Sequence, residues 1–174
     1  MNVKPRLVVL GSGAAARMVG GMVLAADAFE LAGFTDANAA RHGELLCGRP
    51  ILGDDGILPD LRRQGVSHAV VAAGEPRLRR RLGALLRAEG FELASVVHPH
   101  AYLAPEVRLG QGVIVLPGTV MMDNPVIGDN VFVGQSVAIG HDVVVGDDCL
   151  VGGRAALGAD VIVGAATLLG WASI

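Results

Sequence analysis

Residues 133–152 read VGQSVAIGHDVVVGDDCLVG, and their spacing decides the fold of the second half of the chain. A large aliphatic residue recurs at every sixth position, and a glycine usually follows it. Extended in both directions, the aliphatic series comprises Leu109, Val115, Met121, Ile127, Val133, Ile139, Val145, Val151, Leu157, Val163 and Leu169. Nine of the eleven residues that follow these positions are glycine. The frame continues unbroken to Ile174, and two looser steps at Val97 and Leu103 precede it.

A period of six residues predicts a left-handed parallel β-helix built from hexapeptide repeats. Three hexapeptides form the three faces of one coil, and the aliphatic residue of each points into the core. The fifth position is mostly small or β-branched, as at Thr119 and Val137, and forms a second inward position. The adjacent glycine permits either a close approach of neighbouring coils or an unusual φ at a corner. Successive coils stack at about 4.8 Å, so roughly four coils give a prism of about 20 Å.

The first ninety-odd residues have a different pattern, in which strands alternate with helices. The sequence predicts strands at Leu7–Leu10, Glu30–Thr35 and His68–Ala73, and helices that end near Ala26, at Arg63 and at Glu89. This alternation is typical of a small Rossmann-like parallel sheet. We therefore expect two domains: an α/β domain over residues 1–96 and a β-helix over residues 97–174.

Composition excludes several classes of protein. The formal net charge of −3 gives no basic surface for nucleic acid. The two cysteines, Cys47 and Cys149, do not make a disulfide framework, so we expect a cytoplasmic protein. No signal peptide precedes the first strand, and the uncharged run from Val161 to Ile174 is too short and glycine-rich to span a bilayer.

The first strand leads into a glycine turn, Gly11-Ser12-Gly13-Ala14-Ala15-Ala16, of the form G-x-G-x-x-A. Backbone N–H groups at the start of the following helix can hold a phosphate, and Asp36 is placed to meet a ribose hydroxyl. The same pattern also fits a purely structural strand–turn–helix. An NAD-dependent oxidoreductase is disfavoured because a single small half-fold cannot enclose a dinucleotide. No P-loop motif is present.

Other polar groups have simpler interpretations. Arg77, Arg79, Arg80, Arg81 and Arg87 share a predicted helix, where a solvated charged face is favoured over a phosphate site. His98 and His100 flank Pro99, and a turn is favoured over a metal pair. Cys149 falls at a small inward position of its hexapeptide, which predicts packing. His141 is the one histidine of the regular repeat, which argues against a three-histidine zinc site, and we expect no metal.

Several motifs together resemble the NeuD/PglD-like sugar O-/N-acyltransferase family over essentially the whole chain. They are the strand and glycine turn, the Val97-His98-Pro99 entrance, Gly74 followed by Arg79, Ile139-Gly140-His141-Asp142 and Val145-Gly146-Asp147. The resemblance implies a homotrimer, acetyl-CoA as the acetyl donor, and an acceptor that is often a nucleotide-linked amino sugar. It also implies that acetyl-CoA lies in a groove between neighbouring helices.

By resemblance, His141 is the general base and Asp142 its acidic neighbour. The residues assigned to the nucleotide-sugar pocket are Gly11, Ser12, Gly13, Asp36 and Gly74. The chemistry agrees, because an amine or hydroxyl that attacks a thioester must lose a proton, and a neutral imidazole can accept it. A nearby carboxylate orients the ring and stabilises the imidazolium.

The chain departs from the family pattern at Ala15, Gly134 and Leu150, where relatives often carry His, Asn and His, and it stops at Ile174 where relatives usually add coils. We expect its final coil to expose apolar side chains such as Leu169 and Ile174 and to favour aggregation. These departures keep open a rival interpretation, a non-catalytic or truncated paralogue that acts as a binding or assembly protein. The acetyltransferase interpretation is the first choice, and an NAD-binding oxidoreductase is third.

Overall fold

The computed structural model describes residues 4–174, which form two compact units. The first unit comprises the residues up to Ala73 together with Arg81–Ala94. The second comprises Gly74–Arg80 and Ser95–Ile174. Within residues 4–174, no helix is both long and apolar enough to cross a membrane.

The first unit is a six-stranded sheet flanked by helices, and its strand order is β3-β4-β2-β1-β5-β6. Its strands are β1 (Arg6–Leu10), β2 (Glu30–Thr35), β3 (Leu45–Leu46), β4 (Arg49–Gly53), β5 (Val66–Val71) and β6 (Glu92–Leu93). Its helices are α1 (Ala14–Ala26), α2 (Leu58–Arg63) and most of α3 (Pro76–Ala88), with short 3₁₀ turns at Ala39–Arg41 and Asp55–Ile57. The β3–β4 pair is antiparallel, and the other neighbours are parallel.

The strand–helix alternation therefore produces the predicted parallel sheet, with some differences at the ends of elements. Residues 7–10 of β1 are fully buried, as expected of a central strand covered on both faces. The third predicted strand begins and ends two residues earlier than expected, at Val66–Val71. The hairpin formed by β3 and β4 was not predicted, because its short strands carry little period-two alternation.

The second unit is a three-sided parallel β-helix. Its strands are β7 (Val96–Val97), β8 (Tyr102–Leu103), β9 (Arg108–Leu109), β10 (Ile114–Val115), β11 (Val120–Met121), β12 (Val126–Ile127), β13 (Phe132–Val133), β14 (Ala138–Ile139), β15 (Val144–Val145), β16 (Leu150–Val151), β17 (Ala156–Leu157), β18 (Ile162–Val163) and β19 (Leu168–Leu169). Each strand from β7 to β16 pairs with the strand eighteen residues further on, as Ile114 does with Phe132. Every third strand therefore joins the same face, which confirms the predicted β-helix.

Both predicted inward positions of the hexapeptide fill the core. The first is occupied by residues such as Val133 and Val145, and the second by Val137 and Cys149. Cys149 is fully buried, as its position predicted, and burial raises the pKa of its thiol. Of the two terminal side chains expected to be exposed, Ile174 is fully exposed and Leu169 is partly buried.

The sequence suggested either a close approach of coils or an unusual φ for the repeated glycine, and the structure places these two features at different positions. A Cβ on Gly128 would lie 2.8 Å from the backbone nitrogen of Asp147 in the next coil, so this position requires close approach. The positive φ falls two residues later instead, at Asn124, Asn130, Ser136, Asp142, Asp148, Arg154, Asp160, Ala166 and Ala172, with φ between 54° and 63°. Asn and Asp tolerate this conformation best among non-glycine residues, which explains their frequency at these corners.

The prediction of a solvated arginine face is wrong for Arg79, although the other four arginines are exposed. Arg79 is completely buried in the second unit, where its Nε and Nη2 donate to the backbone oxygen of Asn130 at 2.9 and 2.7 Å. Asn130 Nδ2 donates back to the Arg79 carbonyl and to Asp148 Oδ1, both at 2.8 Å. Burial lowers the pKa of Arg79 from its ordinary value to about 10, so the side chain stays charged at neutral pH.

Candidate functional site

The corners of the β-helix align equivalent residues from successive coils, because one coil contains eighteen residues. We call the column formed by Asn124, Asp142 and Asp160 the His141 corner, since His141 directly precedes its middle member. All three residues of the column have positive φ. The repeat therefore fixes both the position of Asp142 and the outward direction of the adjacent histidine, whose side chain is 58% exposed.

His141 and Asp142 form a hydrogen-bonded pair. The His141 Nδ1 lies 3.0 Å from Asp142 Oδ2. Since an ionised carboxylate can only accept, this contact places the proton on Nδ1 and leaves the lone pair of the neutral ring on Nε2. The hydrogen bond that His141 donates to Asp142 raises the pKa of His141 above its usual value. Within the described residues, 4–174, no hydrogen bond is made by Nε2, so it is available to accept a proton.

Two residues that the sequence analysis missed hold Asp142 in place. Asn124 Nδ2 donates to Asp142 Oδ1 at 2.6 Å, and Arg108 Nη2 donates to Asn124 Oδ1 at 2.9 Å. The hydrogen bond from Asn124 is the main cause of the lowered pKa of Asp142. The signal that could have found Asn124 is its offset of one coil, eighteen residues before Asp142.

Asp160 completes a small exposed cluster at this corner. Single ligand atoms of His141, Asp142 and Asp160 lie within 4.8 Å of one another. Exposed carboxylates group in this way on many proteins without an ion, and here the repeat itself stacks them. We therefore do not assign a metal site to this cluster.

The first unit contains the predicted glycine turn. Gly11 has a φ of 105°, which favours glycine, and its N–H donates to the Thr35 carbonyl at 3.1 Å. Gly13 is the N-cap of α1 in an extended conformation, and no side chain caps this helix start. The first N–H groups of α1 therefore lack the side-chain partner that commonly satisfies them.

Asp36 lies against this turn and accepts a hydrogen bond from the Ser12 hydroxyl. That bond is the main cause of the lowered pKa of Asp36, and the N–H of Asn38, 2.8 Å from Oδ1, adds to it. The structure thus brings Gly11, Ser12, Gly13 and Asp36 together.

Arg41 is a further residue of this cluster that the sequence analysis missed. Its Nη1 donates to the Ser12 carbonyl and to Asp36 Oδ2, each at 3.2 Å. The residue follows Asp36 on the 3₁₀ turn Ala39–Arg41, whose N-cap is Asn38. No sequence pattern marks it, because its role depends on a short loop that folds back over the glycine turn.

Gly74, the remaining predicted pocket residue, belongs to the second unit. A Cβ built on it would lie 3.9 Å from Leu150 Cδ1. The next residue, Glu75, accepts from the backbone N–H groups of Arg77 and Leu78 at 2.9 and 2.6 Å. The first turn of α3 is thus capped by a carboxylate of the chain itself, in contrast to the first turn of α1.

The histidines beside the β-helix entrance form a turn, as predicted. His98 Nδ1 accepts from the His100 backbone N–H at 3.0 Å, and the Ala101 N–H donates to the His98 carbonyl at 2.9 Å. The two rings meet edge to face. Both histidines therefore serve the local turn at Pro99.

Comparisons with known proteins agree with both units. A family model for the PglD N-terminal domain matches residues 6–84, and a model for the bacterial transferase hexapeptide (six repeats) matches residues 124–159. A search of curated proteins found no match.

Three solved structures illustrate the similarity. A histidine mutant of perosamine N-acetyltransferase from Caulobacter crescentus, in complex with CoA and GDP-perosamine, is 33% identical, with 95% of this chain and 86% of that chain covered and a TM-score of 0.87. The acetyltransferase domain of PglB from Neisseria gonorrhoeae is 23% identical, with coverages of 97% and 90% and a TM-score of 0.82. WeeI from Acinetobacter baumannii is 21% identical, with coverages of 97% and 79% and a TM-score of 0.84. The last two show the fold alone.

Proposed function

This chain belongs to the NeuD/PglD-like sugar O-/N-acyltransferase family and is an acetyl-CoA-dependent acetyltransferase, and from this we propose its acceptor and its base. It acetylates the amino group of a nucleotide-linked sugar, and His141 is the general base. The observation that carries the proposal is the His141–Asp142 pair, with Nδ1 directed at the carboxylate and Nε2 exposed. The relative from Caulobacter crescentus, which binds CoA and GDP-perosamine, supports an amino-sugar acceptor.

In the proposed reaction, the lone pair of the acceptor amine attacks the thioester carbonyl carbon of acetyl-CoA. Nε2 of His141 takes the proton that the nitrogen loses, and the C–S bond breaks as the tetrahedral intermediate collapses to an amide and the CoA thiolate. The imidazolium then returns its proton to the thiolate. No covalent enzyme intermediate is needed.

Asp142, Asn124 and Arg108 act as positioning residues in this scheme. Asp142 holds the ring in the tautomer whose Nε2 is free and stabilises the imidazolium formed during attack. Asn124 fixes the carboxylate, and Arg108 fixes the amide of Asn124. The chain of hydrogen bonds keeps the base oriented although the site is exposed to water.

We place the nucleotide part of the acceptor at the cluster of Ser12, Asp36 and Arg41. The uncapped N–H groups at the start of α1 suit phosphate oxygens, and the ionised Asp36 suits a hydroxyl donor. Ser12 and Arg41 hold the Asp36 carboxylate against the glycine turn. Gly11 allows the sharp chain reversal that brings these groups together.

We also propose that the protein works as a homotrimer. Val120, Met122 and Val144 are exposed large apolar residues on the faces and corners of the β-helix. Such side chains favour lateral packing, and closed symmetry is the normal outcome for identical subunits. Light scattering at micromolar concentration should give three times the monomer mass, and a stable monomer would contradict this part of the proposal.

The proposed activity is tested with purified protein, acetyl-CoA and a panel of nucleotide-linked amino sugars. Thiol release and the mass of the sugar product are measured together, so that transfer is distinguished from thioester hydrolysis. The matched acceptors carry a hydroxyl in place of the amine. Acetylation of the amino sugars alone supports N-acetylation. Absence of transfer to every amino sugar, in protein shown to bind CoA, would favour the non-catalytic paralogue.

A further inference from the structure

His141 has a second acidic neighbour besides Asp142, and this second carboxylate is unpaired. A ring nitrogen of His141 and single carboxylate oxygens of Asp142 and Asp160 all lie within 4.8 Å of one another. Asp142 is already occupied, because it accepts from His141 and from Asn124. Asp160 is exposed, and within residues 4–174 its carboxylate makes no hydrogen bond or ion pair. The corner therefore offers two free acceptors, Nε2 of His141 and the carboxylate of Asp160.

The repeat fixes the position of Asp160. The residue follows Asp142 by one coil at the same corner, with a φ of 60°, and its backbone N–H donates to the His141 carbonyl at 3.1 Å. The hydrogen bond to Asp142 is the main cause of the raised pKa of His141, and the charge of Asp160 contributes more to it than the charge of Asp123 does. Asp160 is thus tied to the residue that carries the proposed base and acts on its ring.

The spacing of the two free acceptors suits a single atom that has two hydrogen-bond donors. The atom that gives its proton to Nε2 must lie within hydrogen-bond reach of it, at about 2.9 Å. A tetrahedral nitrogen that makes two hydrogen bonds of this length spans about 4.7 Å between its partners. The limit of 4.8 Å between the His141 ring nitrogen and the Asp160 oxygen is compatible with that span.

An amine and a hydroxyl differ in how they meet two acceptors. A neutral amine has two N–H groups and one lone pair, so it can donate to both acceptors and still attack with the lone pair. A hydroxyl has one O–H, and once it donates to Nε2 it turns only lone pairs toward the carboxylate. A site with two acceptors therefore favours nitrogen, because the oxygen analogue leaves one acceptor unpaired and opposed by a lone pair.

We propose that Asp160 determines the choice of acceptor, and that it selects an amine over a hydroxyl by holding the second N–H of the attacking nitrogen. As the C–N bond forms, the nitrogen becomes positively charged, and the carboxylate stabilises that charge. Nε2 of His141 takes one proton, the C–S bond breaks, and the CoA thiolate receives that proton. The hydrogen held by Asp160 stays on nitrogen as the N–H of the amide. The inference rests on the proposed transfer to an amino sugar and names the residue that makes it specific for nitrogen.

The first test measures binding without acetyl-CoA, so it does not depend on turnover. Calorimetry compares GDP-linked and UDP-linked amino sugars with counterparts that carry a hydroxyl in place of the amine. The wild type should bind the amine member of a pair about 10-fold to 100-fold more tightly, as expected for one hydrogen bond to a charged group. Asp160→Asn, which suits the positive φ, should remove most of this preference, because an amide is a weaker acceptor and can donate to a hydroxyl.

The second test measures transfer in the same variants. With saturating acetyl-CoA, Asp160→Asn should lower kcat/KM for the amino sugar by about 10-fold to 100-fold and for the hydroxyl counterpart by less than about 3-fold. Glu106→Gln is the matched control, because Glu106 is exposed and lies at the same corner three coils before Asp160. It loses the same charge and should keep the preference for the amine in both binding and transfer.

The inference is overturned if the wild type prefers the amine in no pair, or if Asp160→Asn leaves the preference intact. It is also overturned if Glu106→Gln removes the preference as fully as Asp160→Asn does, since a general effect of negative charge would then be responsible. Failure of the proposed transfer reaction gives a different result. The amine member would still bind more tightly, and no acetylated sugar would form.

Discussion

The two units reach their proposed sites by different routes. In the β-helix, one hexapeptide rule repeated along the chain places Asp142 at a corner, Asn124 one coil before it and His141 beside it. In the α/β unit, Ser12, Asp36 and Arg41 meet because two loops, one after β1 and one after β2, converge at the ends of parallel strands. A site built on a repeat can be located from spacing, whereas a site built on convergent loops depends on how each loop folds. Variants of each site can separate the proposed role of the β-helix in catalysis from that of the α/β unit in nucleotide-sugar binding.

The largest effect is expected at His141. His141→Ala should lower kcat by about 10²–10⁴-fold, because the acceptor loses its base during attack on the thioester. The dissociation constants of CoA and of the nucleotide sugar should change little, since a base acts in the transition state. Single-turnover kinetics and calorimetry measure the two quantities separately. Near-normal turnover in the mutant would show that His141 is not the general base.

The complementary variant is Asp36→Ala in the α/β unit. Loss of a hydrogen bond to a charged acceptor should weaken nucleotide-sugar binding by about 1.5–3 kcal/mol and leave CoA binding unchanged. Asp60→Ala, an exposed carboxylate of the same unit, is the control and should alter neither ligand. Calorimetry with each ligand checks the result. Equal losses for both ligands would mean that the substitution has damaged the fold.

Arg79 tests how far the β-helix unit depends on a polar group that its repeat does not specify. Arg79→Ala leaves the Asn130 carbonyl and Asp148 without their buried cation and should reduce the free energy of unfolding by about 1–3 kcal/mol. Arg80→Ala, which removes a half-exposed partner of the same Asp148, should change it by less than about 1 kcal/mol. Urea denaturation gives both values. If the two variants lost similar amounts of unfolding free energy, the buried Arg79 would contribute no more to stability than the exposed Arg80.

Asp142→Asn examines the tuning of the base, because asparagine also accepts the positive φ at this corner. Removing the carboxylate should lower the raised pKa of His141 toward its usual value. The neutral ring is the active form, so wild-type kcat should fall as pH drops through a His141 pKa above 6.5. In the mutant this fall should move to lower pH, while kcat at high pH decreases about 10-fold. Asp160→Asn, one coil further on, should shift the pH dependence of kcat less than Asp142→Asn does. A larger shift in Asp160→Asn would mean that Asp160, and not Asp142, raises the pKa of His141.

The smallest effect is expected for Asn124→Gly. Glycine keeps the positive φ but removes the amide that donates to Asp142, so the carboxylate is less well oriented. Because Asn124 acts on the reaction only through the orientation of the ionised Asp142, we expect a roughly 5-fold lower kcat with unchanged CoA affinity. Steady-state kinetics under saturating acetyl-CoA measure the change. An unaltered kcat would show that Asp142 is positioned without this contact.

The sequence by itself determined the β-helix, its inward residues and the outward position of His141, because a period of six allows one arrangement of core and corner. It also determined the strand–turn–helix start of the α/β unit and the neighbourhood of Gly11 and Asp36, since parallel strands place their following loops at one edge.

Only the tertiary structure decided the partners of these residues. Asn124 meets Asp142 through the stacking of coils, and Arg41 meets Asp36 through the fold of a loop. Arg79 is buried although the other arginines of the same helix are exposed. The physical reason is that local spacing fixes the direction of a side chain, whereas its contacts depend on which distant segment packs against it.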